Sequence, residues 1–435
     1  GWPMLAWELK EAQNAGEAEK ALRQAKAEAK QELDAAYQSY QEADYRQKDW
    51  TTLTEIYQAA GEAIEAVTVK QYTDTPDILT KKVEEAKAQM AAVLTREENE
   101  QKELQEAKTQ AIQDIMTAYQ TDVTSIETTE ASLEQKGYWH DYLEAAKELI
   151  ASSKVALEEK KTTATTAIQN CETISDVAAA LSAGINAMQE SVDRVSQYQP
   201  DTGIPSDQIW DGTTETKPSG QGTKASPYQI TNGSELAWFS SQVNAGKTQL
   251  SAVITKDIDL GGHIWTPIYQ SASGNGYRGS FDGGNHIIHN MNADGDKDAT
   301  TPTGLFGYIG TNGTVQNVKV AGTVTSANKN GAGAIAGTSS GIIYNCVSSV
   351  YMRGNNASNP PWYLGGIAGI QNGGIIDSCE NYSRIEYNSY IQYVGGIAGN
   401  STNKGMIRYC TNYGDVIIQF SGGTGSGTYI GGILG

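Results

Sequence analysis

The sequence has few of the residues that most often carry metal or redox chemistry. Its 435 residues include only four cysteines and four histidines, and a scaffold held together by disulfides would need more cysteines. It contains no run of ~18 apolar residues, which excludes an ordinary membrane-spanning helix, so we expect no membrane insertion. Basic residues are also in deficit, and the net charge of −19 disfavours nucleic acid as a partner because its phosphates would be repelled.

Charge and glycine divide the chain near residue 200. Of 51 acidic and 32 basic residues, 15 and 12 lie after residue 200, which leaves 36 and 20 before it. The first part is rich in Ala, Glu, Lys and Gln and nearly free of glycine, whereas the second is rich in glycine. This contrast predicts a multidomain chain in which helices come first and β-structure follows.

Residues 9–199 have the apolar spacing of amphipathic helices, and the pattern occurs twice. The segment "AKAEAKQELDAAY" at 25–37 corresponds to "AKTQAIQDIMTAY" at 107–119. We therefore predict two tandem three-helix bundles, at 9–96 and 97–199, in which Trp50, Trp139 and His140 are packing residues. The shared core "DYR…W/Y…L…I…A…I" resembles the FIVAR-like modules of large Gram-positive surface proteins.

A second kind of repeat follows a Pro- and Gly-rich segment, which we predict to be a linker at 200–226. The motifs "TGLFG", "GAIAG", "GGIAG", "GGIAG" and "GGILG" begin at residues 303, 333, 365, 395 and 431. One such unit is too small to bury a face alone, so we predict a parallel β-helix, or solenoid, over 227–435. Its N-terminal cap would span 227–302 and its repeats 303–435. Equivalent residues would then stack about 4.8 Å apart, with Ile367 and Ile397 buried in register.

Two further columns of this solenoid can be predicted from the spacing. One has the sequence Val, Cys, Cys, Cys, and another lies six residues later; a redox or metal role for the cysteines is the alternative to simple burial. The members are Val318, Cys346, Cys379 and Cys410, followed by Val324, Met352, Ile385 and Val416.

The glycine-rich part has a specific family resemblance. "YRGSFDGGNHIIHNM" (277–291), "GLFGYIGTNGTVQNVKVAG" (304–322) and "GGIAG…I…C.NYG.V" resemble the GLUG-repeat surface proteins of Gram-positive bacteria. The resemblance implies an extracellular, cell-surface location and a structural or adhesive role without catalysis in this segment. "GWPMLAWE" (1–8) resembles the closing strand of an upstream β-helical region, and "YIGGILG" repeats "YLGGIAG". We therefore expect the chain to be cut from a longer one, with both β-helices truncated.

Two sets of side chains are candidate sites. Asp294, Asp296 and Asp298 alternate in the manner of calcium ligands, but Ala299 and Leu305 stand where a calcium loop needs Gly and Glu. We therefore predict a solvated turn without a metal, and a calcium site is the alternative. Tyrosines on an outer face can stack on sugar rings, although they can also simply cover strands. The candidate glycan-stacking residues are Tyr387, Tyr390, Tyr393 and Tyr413.

These observations predict a structural or adhesive segment that displays or binds a glycan or a host or matrix protein, next to other segments of the same long chain. No histidine lies in a His-Glu-x-x-His motif, so a peptidase domain would have to lie elsewhere. The alternatives are an accessory region of a secreted hydrolase, of the IgA-peptidase or glycan-degrading type, and a subunit of a self-assembling surface filament. We predict no cofactor, with calcium as the alternative.

Overall fold

The chain is α-helical in its N-terminal part and continues as a parallel β-solenoid of about five turns, which confirms the predicted order. Two compact units are present, one formed by residues 1–118 and 161–186 and the other by 119–160 and 187–435. The computed structural model describes residues 3–295, 301–326, 330–354, 363–387, 393–418 and 429–435, with the backbone alone at 3–5.

Eight α-helices lie within the described residues. They are α1 Pro3–Gln38, α2 Gln47–Glu65, α3 Val69–Asp74, α4 Ile78–Ala91, α5 Arg96–Glu134, α6 His140–Gln169, α7 Ile174–Ser196 and α8 Gly233–Asn244. Short 3-10 turns occur at Glu42–Asp44 and Ser206–Gln208. Thr68 begins α3 with a capping box, since its hydroxyl accepts from the Gln71 amide while the Gln71 side chain accepts from the Thr68 amide.

Residues 3–8 differ from the prediction of a closing strand, because they form the first turns of α1. A strand satisfies its backbone groups only by pairing with a neighbour, whereas a helix satisfies most of them within the segment. Ala6 and Glu8 favour a helix intrinsically, and Trp7 tolerates one.

In the first unit, α1, α2 and α4 pack around one apolar core. Leu33, Leu53, Ile64, Val83 and Met90 are its most deeply buried members. Burying a side chain of this size contributes about 1.5–3 kcal/mol relative to leaving it exposed. Trp50 packs at the edge of this core. The arrangement of the helical part as two tandem bundles stays a prediction.

Twenty-three strands lie within the described residues. In chain order they are β1 Tyr228–Ile230, β2 Ala252–Ile254, β3 Ile258–Asp259, β4 Ser280–Asp282, β5 Ile287–Asp294, β6 Phe306–Ile309, β7 Thr314–Gln316, β8 Lys319–Ser326, β9 Ala332–Gly333, β10 Ala336–Ser339, β11 Ile342–Tyr344, β12 Val347–Gly354, β13 Tyr363–Gly365, β14 Ala368–Asn372, β15 Ile375–Asp377, β16 Glu380–Asn381, β17 Arg384–Tyr387, β18 Tyr393–Gly395, β19 Ala398–Thr402, β20 Met406–Arg408, β21 Thr411–Asn412, β22 Val416–Ile418 and β23 Tyr429–Gly431.

The strands form four parallel sheets in which each strand pairs with its equivalent in the next turn. The sheets have the orders β1-β2-β4-β7-β11-β15-β20, β19-β14-β10-β6, β21-β16-β12-β8-β5-β3 and β23-β18-β13-β9, with β17 and β22 continuing alongside β12. Like residues therefore stack, and one apolar column runs from Phe281 through Val315, Ile343 and Ile376 to Ile407.

The sequence-derived columns are present. Met352 pairs with Val324 and with Ile385, which pairs in turn with Val416. Ile367 and Ile397 are both fully buried, and the Ile367 amide donates to the Ile397 carbonyl at 2.9 Å. The prediction that these two isoleucines stack in the core is confirmed.

The second glycine of "GGIAG" is required by a close approach across the core. A Cβ on Gly366 would lie 2.3 Å from Cγ of Asn381, and a Cβ on Gly396 would lie 2.4 Å from Cγ of Asn412. Only glycine leaves room for these two amides, of which that of Asn381 is fully buried and that of Asn412 half-buried.

Residues 209–226 differ from the predicted linker because they pack on the first turns of the solenoid. Trp210 is buried, its amide donates to the Asp259 carbonyl at 3.0 Å, and its indole N–H donates to the Thr214 carbonyl at 2.9 Å. Ser219 forms an antiparallel bridge with Gln229. The physical reason is Trp210, whose large ring can be buried here with its polar N–H satisfied.

Candidate functional site

In the second unit, the turn between α5 and α6 lies directly on the solenoid backbone. Gly137 has a φ of +65°, and a Cβ there would lie 1.7 Å from the Gly322 carbonyl oxygen. The Ser349 hydroxyl donates to the Tyr138 carbonyl at 3.2 Å. The turn therefore contacts strands β8 and β12 at main-chain distance, which only a glycine at position 137 permits.

Side chains extend this contact on both sides of the turn. The His140 ring stacks on Tyr382 with 3.9 Å between ring centroids and 11° between planes. Arg384 forms an ion pair with Glu134 at 3.1 Å. Burial lowers the pKa of His140 against the opposing effect of Asp141, which favours a neutral ring. His140 was predicted to pack within a helical bundle, but its partner is a solenoid residue.

Beside this turn lies a cleft of about 330 Å³, which we call the junction cleft. Five parts of the chain contribute to it: the α5–α6 turn with the start of α6, the chain after α7, and strands β3, β5 and β8. Its aromatic walls are Tyr138, Trp139 and Tyr142, and its polar residues include Asp201, Asp259 and His289.

His289 is the polar residue of this cleft without a satisfied partner. It is 3% exposed, and its Nε2 has no hydrogen-bond partner among the residues that the structure describes. Burial lowers the pKa of His289, although Asp257 and Asp259 act in the opposite direction. A neutral imidazole offers one N–H donor and one acceptor nitrogen, so His289 can serve either role toward a bound group.

The other polar residues of the junction cleft are held in place by their neighbours. The Asn290 amide donates to both Asp259 carboxylate oxygens, at 2.9 and 3.0 Å, and the Gly261 N–H donates to Oδ1 at 2.8 Å. The Tyr142 ring lies 5.9 Å from that of His289. A rigid carboxylate, a neutral imidazole and aromatic walls therefore meet in one recess.

A second cleft, of about 350 Å³, lies beside α8 and is called here the cap cleft. Its polar groups bond mainly to each other. The Ser241 hydroxyl donates to Glu215 at 2.7 Å, Asn244 donates to the Pro267 carbonyl at 3.0 Å, and its Oδ1 accepts from the Gln270 amide at 2.8 Å. These hydrogen bonds hold the N-terminal cap of the solenoid in place. They leave fewer polar atoms of the cap cleft available to bind a ligand.

The candidate tyrosines do not form one surface. Tyr387 is 1% exposed and packs against Gly354, where a Cβ would lie 1.8 Å from the tyrosine ring. This corrects the prediction that it is an outer residue, and the missing side chain at Gly354 is the reason that the ring fits inside. Tyr390 lies outside the described residues.

Tyr393 and Tyr413 lie in two separate aromatic stacks. Tyr393 is sandwiched between Tyr363 and Tyr429, with centroid distances of 5.3 and 5.0 Å and interplanar angles of 16° and 9°. Tyr413 stacks on Tyr382 at 4.7 Å and 20°. Both faces of Tyr393 are thus covered by other tyrosines, whereas Tyr413 is 59% exposed.

The candidate calcium residues fall mainly on undescribed positions. Asp294 ends β5, and Asp296 and Asp298 lie outside the described residues. Within the part of the chain that the structure describes, no group of three or more His, Cys, Asp or Glu side chains could hold a metal ion.

The cysteines of the predicted column lie at the core of the solenoid. Cys346 and Cys379 are fully buried, Cys410 is half-buried, and all three are free thiols. The Cys346 thiol and burial raise the pKa of Cys379, and the Cys379 thiol and burial raise that of Cys410. The geometry therefore favours protonated, packed side chains over a reactive site.

Sequence reasoning missed the junction cleft, although a signal was present. The segment "GYWHDY", residues 137–142, places a glycine and several rings between helices that are otherwise rich in Ala, Glu and Lys. Such a cluster marks a turn with an unusual contact.

Comparison with known proteins gives limited matches. No protein family model matches the chain. Halomucin of Haloquadratum walsbyi is 32% identical over 158 residues, which cover 34% of this chain and 2% of halomucin. A crystal structure from Bacteroides ovatus, provisionally described as an immunoglobulin A1 protease, is 20% identical, with 48% of this chain and 84% of that chain covered at a TM-score of 0.34. At that TM-score the likeness supports no argument.

The chain thus corresponds to a small fraction of the length of halomucin. Among the described residues, none of the helices combines the length and the apolar character needed to cross a membrane.

Proposed function

We propose that this chain is a structural and adhesive segment of a large extracellular surface protein and that it binds a glycan. The observation that carries the proposal is the in-register solenoid, in which successive turns repeat the same inward columns and leave other side chains on the outer faces. Solenoids of this kind offer extended binding surfaces.

Two further observations support an extracellular surface role. The name halomucin contains the word mucin, which suits a protein outside the cell, although the match covers 2% of that relative. The "GGIAG" and "GLFG" motifs resemble GLUG repeats and the helical part resembles FIVAR-like modules, and both kinds of module belong to surface proteins.

The test is a glycan array probed with the whole chain, residues 1–435. We expect binding to one class of neutral glycan. Lack of binding across all classes would reject the adhesive part of the proposal. Incubation of the chain with each bound glycan, and with immunoglobulin A1, followed by mass spectrometry tests the alternative of a hydrolase. Cleavage products would favour that alternative over adhesion.

A further inference from the structure

We infer that the junction cleft binds a single neutral sugar ring. This inference rests on the proposed glycan-binding function and assigns it to a place that none of the candidate tyrosines occupies. The cleft is formed by Tyr138, Trp139, Tyr142, Asp201, Asp259 and His289.

The walls of the cleft suit the apolar faces of a sugar. Tyr138 and Tyr142 are half-buried and supply the ring faces, whereas Trp139 is 6% exposed and packs on His140. The turn that holds Tyr138 is fixed by main-chain contact with Gly322. Aromatic faces pack well against the C–H groups of a pyranose, and rings that are already fixed lose little conformational entropy on binding.

The polar groups of the cleft suit hydroxyl groups. Asp259 is held by Asn290 and Gly261, so its carboxylate can accept hydrogen bonds without moving. His289 is almost fully buried and has an unpartnered Nε2 among the described residues. A buried polar atom without a partner costs free energy, so a small rotation of the imidazole that brings Nε2 to a sugar hydroxyl in the cleft would be favourable.

The charge of the cleft selects among sugars. Asp201 and Asp259 are its ionisable carboxyl residues, and neither lysine nor arginine lines it. A sugar that carries a carboxylate or sulfate would therefore meet repulsion from charges that are only partly screened by water. The structure assigns the cleft to neutral sugars.

The size of the cleft limits the ligand to one ring. Its volume of about 330 Å³ lies at the lower end of the range of ligand pockets.

The outer tyrosines are less suited to binding a sugar than the junction cleft. Tyr382 is sandwiched between His140 and Tyr413. Tyr393 is sandwiched between Tyr363 and Tyr429. A sugar cannot stack on the covered faces of Tyr382 and Tyr393, and the exposed ring of Tyr413 offers a single outer face without the walls of a cleft.

The experiment is saturation-transfer NMR on the whole chain. The probes are the methyl glycosides of glucose, galactose, mannose and N-acetylglucosamine, with methyl glucuronide as the anionic probe. We expect transfer to at least one neutral glycoside and none to the glucuronide. The variants His289→Leu and Tyr142→Ala each should weaken binding about tenfold, which is the loss expected for one hydrogen bond or one ring face.

Two matched controls locate the site. Asn244→Ala alters the cap cleft and Tyr413→Ala alters the exposed outer ring, and both should bind the glycoside as the unmodified chain does. Circular dichroism and the thermal midpoint establish that each variant is folded. Since Tyr142 and His289 lie on different elements, a folding defect in one still leaves the other as a test.

The outcomes separate the two proposals. Unchanged binding in both cleft variants, or loss in either control, would overturn the assignment to the junction cleft while leaving glycan adhesion standing. Binding of the glucuronide as strongly as of the neutral glycosides would also overturn it. Transfer to a glycoside combined with a silent glycan array would keep the cleft and reject adhesion to polymeric glycans.

Discussion

Asn381 shows how a polar residue is accommodated inside the solenoid. Its Oδ1 accepts from the Ser348 hydroxyl at 2.6 Å and from the Ser383 amide at 3.0 Å, and its Nδ2 donates to Asn412 Oδ1 at 2.8 Å. Ser348, Asn381 and Asn412 are equivalent positions of successive turns. A buried amide is tolerated here because each turn supplies the partner for the next.

The variant Asn381→Ala should lower the free energy of unfolding by about 1–3 kcal/mol, because it leaves the Ser348 hydroxyl and the Ser383 N–H buried without this partner. Urea denaturation followed by circular dichroism measures the change. The control is Asn372→Ala, since Asn372 also accepts from the next turn, from its equivalent Thr402 and from Asn403, but is only half-buried. A loss of equal size in both variants would argue against a buried amide column.

At the residue scale, the sequence predicted the burial of residues that recur at one position of each repeat, and it missed residues whose burial depends on a single neighbour. Ile367 and Ile397 were predicted correctly because each stands in the same position of a repeated motif. Tyr387 was not, because its inward direction depends on the space left at Gly354, a residue outside the motif. Asn381 was also missed, since an asparagine in a strand ordinarily indicates an exposed position.

At the scale of elements, the α5–α6 turn is the least expected contact. Its hydrogen bond from Ser349 to Tyr138 joins residues 211 positions apart. Each partner has an ordinary local structure. Tyr138 lies in a turn between two helices that contains a glycine, and Ser349 lies in a parallel strand. Their pairing depends on tertiary packing, which no local pattern expresses.

The variant Gly137→Ala should destabilise the second unit by roughly 1–3 kcal/mol, because its methyl group would overlap the Gly322 carbonyl and force one backbone to shift. Chemical denaturation measures the loss. Gly203→Ala is the matched control, since its φ of +69° is similar but nothing lies within 4 Å of the added Cβ. Because both variants place alanine at a similar positive φ, the difference between their losses of unfolding free energy measures the contact with Gly322. Equal losses would contradict the close approach.

At the scale of the whole chain, the solenoid should tolerate loss of an entire turn. Gly365 pairs in register with both Gly333 and Gly395. Deletion of residues 366–395 would therefore place Cys410 on Cys346, Asn412 next to Ser348, and Tyr413 under His140. We expect the shortened chain to fold with one cooperative unfolding transition and a circular dichroism spectrum of the same form.

Deletion of residues 366–380 is the control, because it joins Gly365 to Asn381 and shifts the inward columns away from their partners. We expect aggregation or loss of the cooperative transition, seen by gel filtration and thermal denaturation. If both deletions behave alike, the register of the columns does not determine the fold. The motif spacing made this architecture predictable, since a period of about 30 residues allows one turn per unit.

The same glycine register has a consequence for inheritance. Neighbouring units of similar sequence are prone to misalign when DNA recombines, and an exchange between equivalent positions adds or removes a complete unit. Such an event leaves the inward columns matched and changes the length of the solenoid by about 4.8 Å for each turn. The length of a protein built on this solenoid is then a trait that varies in fixed steps, which selection can adjust without inventing a new fold.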